Sequence, residues 1–127
     1  MIFSTLAQAQ IDCPSVTYKG GRLNKITNLN REYKNDWTCK LGRYSGTIRS
    51  LVYPDEADTE PIAVIIQLAN GRREQIGLDE AILECFSEAD KRNWQSKLKK
   101  GMRVKVQAFS CGASGSSDKQ MFSIEFL

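Results

Sequence analysis

Hydrophobic and polar positions alternate with a period of two from Ile62 to Ala69. Ile62, Val64, Ile66 and Leu68 fall on one face, with Ala63, Ile65, Gln67 and Ala69 on the other. A strand apolar on one side and nearly so on the other belongs in the middle of a sheet. Asn70-Gly71 follows, and because both residues tolerate positive φ the pattern predicts a tight hairpin into Arg72 to Leu78. Upstream, Tyr44 to Tyr53 has the β-branched and aromatic content of a strand, with Gly46 marking a bulge or bend inside it. Beyond Leu78 the period lengthens to about 3.6. Asp79 is placed to cap a short helix carrying Ile82, Leu83 and Phe86. Ser87-Glu88-Ala89-Asp90 then opens a second helix in the form of a capping box, with Trp94 and Leu98 four residues apart on one side. Lys97, Lys99 and Lys100 suit its negative end, and Gly101 its C-terminal stop.

The period of two then returns. Met102, Val104, Val106 and Ala108 alternate with Arg103, Lys105 and Gln107, a Gly/Ser-rich loop spans Cys111 to Asp118, and Phe122, Ile124 and Phe126 mark a last strand. The order strand, strand, strand, helix, strand, strand over residues 37–127 resembles the OB-fold, a five-stranded Greek-key barrel with a helix between its third and fourth strands. The chain is therefore expected to be mainly β, with an OB-fold-like barrel at 37–127 and an N-terminal extension at 11–36 packed on it. Within the extension Gly20-Gly21 breaks the chain, and the spacing of Leu23, Ile26, Leu29 and Tyr33 predicts one apolar face of a short helix.

Length fits one domain. The longest apolar run, Ile62 to Ile66, is far short of the roughly 20 residues a membrane-spanning helix needs. A net charge of +3 is mild for a nucleic-acid binder, although Lys91, Arg92, Lys97, Lys99, Lys100, Arg103 and Lys105 cluster in the second half. The absence of histidine removes nucleophile–histidine catalysis and histidine-ligated metals. No paired carboxylates sit in an apolar setting, and Gly112-Ala113-Ser114-Gly115 has no base partner. The expectation is a protein that is not an enzyme and takes no cofactor or metal. The acidic loop Asp55 to Glu60 lacks the spacing of an EF-hand.

If the OB resemblance holds, ligands cross the strands at 62–69 and 72–78, bordered by the loops Tyr53 to Pro61 and Ser110 to Gln120. Neither strand carries the aromatic rings on which single-stranded nucleic acid stacks. Candidate ligand-binding residues are Arg49, Tyr53, Arg72, Arg73 and Phe109, with Tyr44 as a further ring. Trp37 and Trp94 are expected in the core.

Cys13, Cys39, Cys85 and Cys111 show no CxxC spacing, which leaves four free thiols or two disulfides. On the OB topology, Cys85 and Cys111 meet at one rim, and Cys13 then pairs with Cys39. Disulfides imply an oxidising compartment. The opening MIFSTLAQAQIDC has the small-x-small ending of an export signal, so residues 1–10 are expected to be a truncated signal remnant. Ala63-Val64-Ile65-Ile66 with Asn70-Gly71 in a central hairpin, the long helix, and Gly101 and Val104 entering the next strand resemble the B subunits of pentameric AB-type bacterial toxins. That resemblance implies a secreted, ring-forming module that binds cell-surface glycans. The sequence thus predicts a non-enzymatic, secreted or periplasmic binding module for a glycan or protein partner. The alternatives are a cytoplasmic single-stranded nucleic-acid binder using Arg49, Arg72, Arg73 and the basic cluster, or a structural subunit of a larger assembly such as a homo-oligomer.

Overall fold

The structure is a computed structural model that describes residues 13–55, 60–79, 82–111 and 119–127. The expected signal remnant at 1–10, most of the acidic loop and the Gly/Ser-rich loop at 112–118 lie outside the described residues. Along the chain come β1 (Ser15–Lys19), β2 (Arg22–Thr27), a 3-10 turn (Arg31–Asn35), β3 (Cys39–Val52), β4 (Ala63–Leu68), β5 (Arg73–Gly77), α1 (Ile82–Cys85), α2 (Glu88–Lys97), β6 (Arg103–Cys111) and β7 (Lys119–Phe126). Among the described residues no helix is long and apolar enough to cross a membrane.

All seven strands belong to one sheet, in the order β1-β2-β7-β5-β4-β3-β6, with β6 also paired to β7. The sheet therefore closes partly into a ring, and it is not a simple five-stranded barrel. The reason lies at one edge of β7. β5 pairs there, in parallel, only through Ile76↔Lys119 and Gly77↔Gln120. The rest of that edge is free, and β2 occupies it through Lys25↔Glu125 and Ile26↔Ile124.

The extension thus adds two strands to the sheet where a helix was expected. Gly20 and Gly21 have φ of 57° and 78°, which makes the tight β1–β2 turn. Leu23 and Ile26 are both buried although three residues apart. Asn24 has no partner in β1, since Tyr18 pairs with Leu23 and Thr17 with Lys25. This bulge turns a strand's alternation into the three-residue spacing of a helix. Tyr18 donates from its hydroxyl to Asp90 (2.5 Å), tying the hairpin to α2 and raising the tyrosine's pKa, because ionisation would remove that donor.

β3 is the longest strand and the hinge of the ring. Its first part pairs with β6 and its second with β4, overlapping at Gly46 and Thr47. A Cβ at Gly46 would press on the Gln67 carbonyl and the Ile66 side chain, so glycine is required by close approach. The core fills the ring and the space under the helices, with Ile48, Val64, Ile66, Ile76, Val104 and Ile124 fully enclosed. Ser87 caps α2 by accepting from the Asp90 backbone N–H. Trp94 packs edge-on against Phe86 and Phe126, in the core as expected.

Trp37 is different from expectation: it is 91% exposed. It lies in the turn between the 3-10 segment and β3, outside the sheet. That turn is closed by the Asp36 carboxylate, which accepts from the backbone N–H and the hydroxyl of Thr38 and is thereby held below its usual pKa.

Two disulfides form, Cys13–Cys85 and Cys39–Cys111, and the expected pairing Cys85–Cys111 with Cys13–Cys39 is corrected. β3 starts earlier than Tyr44 and reaches back to Cys39, directly opposite Cys111 in the β3–β6 register. Cys13, just before the hairpin that docks on the helices, is carried to Cys85. Each bond closes a separation of 72 residues. In the loop-entropy account one such cross-link stabilises by about 4 kcal/mol.

Candidate functional site

Side chains alternate across a strand, so register decides which outward residues stand together. On the outer wall formed by β3, β6, β7 and β2, Ser45 pairs with Lys105, Lys105 with Glu125, and Glu125 with Lys25. These four residues make one row across four neighbouring strands. A second row, two residues along, runs Arg43, Gln107 and Ser123. The two rows line a groove of about 460 Å³.

The groove is rich in donors. Lys25, Arg43 and Lys105 enter no ion pair among the described residues. Ser123, itself buried, donates from Oγ to Gln107 Oε1 (2.9 Å), which leaves the Gln107 amide nitrogen as the free end of that side chain. Among the described residues Glu125 is the one carboxylate in the lining, and it stands between two lysines. Three cations against one anion give the groove a surplus of two positive charges. Ser45 and Lys105 are a hydroxyl–amine pair in register, but Lys105 is exposed, whereas an amine serving as a base beside a nucleophile is desolvated. The arrangement is suited to holding an acceptor-rich ligand.

None of the five residues expected from sequence lines this groove, although Arg49 and Arg73 both stand beside Gln67. Arg49 has no partner in β4, where a bulge occurs, and lines a smaller hollow of about 250 Å³ with Gln67 and Lys100. Tyr53 is exposed just beyond β3, and Arg73 is exposed on β5. Arg72 spends its guanidinium on Glu74 (3.0 Å). Phe109 is only 5% exposed, edge-on to Phe122 and tilted against Tyr33, so its ring is internal packing and offers no ligand a face. Tyr44 is half-buried with Lys119 Nζ over its ring (5.9 Å).

Reasoning along the sequence missed Lys25, Arg43, Gln107, Ser123 and Glu125, and took Lys105 only as part of a basic run. The alternation Arg43/Ser45, Lys105/Gln107 and Ser123/Glu125 was visible, but the register that brings these pairs together was not. Asp36, Cys39 and Cys111 converge within 4.8 Å, yet the two sulfurs are bonded to each other and offer no thiolate to a metal. Comparison with protein families, curated proteins and solved structures finds no match to this chain.

Proposed function

We propose that this protein is a non-enzymatic, extracytoplasmic binding module on an OB-type barrel, and that it holds a glycan in the groove across β3, β6, β7 and β2. The observation that carries this reading is the pair of in-register rows, whose cations and amide donor have no partner among the described residues. The OB assignment is supported by the ring β3-β4-β5-β7-β6, with its parallel β5–β7 step and helices between β5 and β6. The compartment is supported by the two disulfides, which persist where the surroundings are oxidising.

A glycan fits better than a protein face. The groove volume lies in the range of small-ligand sites, about 300–1,000 Å³, whereas a protein partner would need roughly 800 Å² of surface on each side. A floor of charged and amide groups also suits a ligand made of hydroxyls and acids rather than an apolar one. The reading is tested by nuclear magnetic resonance of the disulfide-bonded protein against a panel of neutral and acidic oligosaccharides. Amide shifts should concentrate at Arg43, Ser45, Lys105, Gln107, Ser123 and Glu125. Shifts confined to β4 and β5, or none across the panel, would refute it.

A further inference from the structure

We infer that the groove selects an acidic saccharide whose charged units alternate with neutral ones, lying across the strands with acid groups on Lys25, Lys105 and Arg43 and a neutral ring over Glu125. This rests on the glycan reading above and adds the ligand's charge pattern and direction.

The charge pattern follows from the rows. Neighbouring strands are about 4.8 Å apart, so Lys105 and Lys25, two steps apart with Glu125 between them, are separated by roughly 9–10 Å. Arg43 lies two residues along β3 from Ser45, about 7 Å away along the strand, and offers a planar fork for a carboxylate or sulfate. The cations are thus spaced, not packed, and a carboxylate occupies the gap. A ligand with a negative charge on every unit would set one of them against Glu125. A ligand with a neutral, hydroxyl-bearing unit between acid units sets a donor there instead, and Glu125 accepts from it. The Gln107 amide nitrogen, oriented by Ser123, meets an oxygen of the unit beside Arg43.

The same features count against single-stranded nucleic acid. Its phosphodiester chain is charged at every step, and binding without base stacking forgoes about 1–3 kcal/mol per base. Among the described residues the groove's one aromatic is Tyr44, which is half-buried with a lysine over its ring.

The test uses the intact, disulfide-bonded protein and three probes: a hexasaccharide of uronic acid alternating with N-acetylhexosamine, the same molecule with its carboxyls reduced to alcohols, and a single-stranded oligonucleotide of similar length. Titration calorimetry gives affinity, and amide shifts give location. The acidic saccharide should bind in the groove at least about tenfold more tightly than its reduced form, and Arg43→Gln and Lys105→Gln should each cost about tenfold, with unchanged thermal melting. Glu125→Gln should narrow the preference for saccharide over oligonucleotide by about tenfold, because the charge that rejects a continuous polyanion is gone. Equal binding of the acidic and reduced saccharides in the groove would overturn the charge inference and leave the glycan reading standing. Binding of neither saccharide would overturn both. Tighter binding of the oligonucleotide in the same groove would overturn the inference in favour of nucleic acid.

Discussion

The two walls of the ring use their charges differently. On the β4–β5 side, Glu74 is nearly buried and is held from both directions: Arg72 reaches it at 3.0 Å, and Lys119 of β7 at 2.9 Å with only 15% of its side chain exposed. That charge cluster ties the start of β5 to the start of β7, at the short parallel seam where the ring closes. On the β3–β6–β7–β2 side, Lys25, Arg43 and Lys105 enter no ion pair among the described residues. The Glu74 cluster, in register with the buried Ile66, faces the interior and is committed to the fold, while Arg49 and Arg73 on the same side enter no ion pair among the described residues. The wall that the N-terminal hairpin extends gathers three such cations into one groove. A basic residue therefore points to a ligand through its pairing and the groove that register builds around it, not through its presence in a sequence.

Breaking both walls together should have the largest effect. Gly46→Val puts a branched side chain where β3 meets Gln67 and Ile66 of β4, and should cost about 3 kcal/mol or prevent folding, read as a large drop in melting temperature. Next comes the committed wall alone. Glu74→Gln leaves Lys119 partly buried without its carboxylate and should cost about 2 kcal/mol in denaturant unfolding, discounted from the fully buried case because both side chains keep some exposure. Arg72→Gln removes the other, 71% exposed partner and should cost under about 0.5 kcal/mol, so the two results together separate the buried half of the cluster from its exposed half. Away from both walls, Ser87→Ala should cost about 1 kcal/mol through the lost cap of α2, a reference for an ordinary local defect. On the groove wall, Arg43→Gln with Lys105→Gln should change stability by less than about 0.5 kcal/mol, since neither cation has an ion-pair partner among the described residues.

The smallest effect is one of pH. The Asp36 carboxyl is depressed by its bonds from Thr38, so it favours the folded turn above the ordinary carboxylate pKa of 3.8, and that contribution is lost as pH falls through the lower folded value. Trp37 stands next to it and should report the opening of the turn as a change in fluorescence below pH 3.8, absent in Asp36→Asn.

What the sequence made legible was local. The alternation at Ile62 to Leu68, the Asn70-Gly71 turn, the cap at Ser87 and the stop at Gly101 each state a backbone geometry within a few residues, and each is found in the structure. What it hid was every decision made by pairing. The β2 bulge at Asn24 disguised a strand as a helix, because one extra residue converts spacing of two into spacing of three. The disulfide partners depended on how far back β3 runs, and Lys40 and Arg43, with Gly42 between, concealed that continuation. Trp37 was misplaced because large aromatics are usually buried, while the turn around it is fixed by Asp36 and needs no packing. The groove depended on three registers at once, so none of its rows could be read from any single strand.

Binding in the groove across β3, β6, β7 and β2 is decided by one comparison: saccharide affinity of Arg43→Gln/Lys105→Gln against that of Arg72→Gln/Arg73→Gln, by calorimetry with the acidic hexasaccharide. The first pair should lose about a hundredfold in affinity and the second should stay within about twofold of the unsubstituted protein. A loss confined to the second pair would place the ligand on β4 and β5 and rule out the groove.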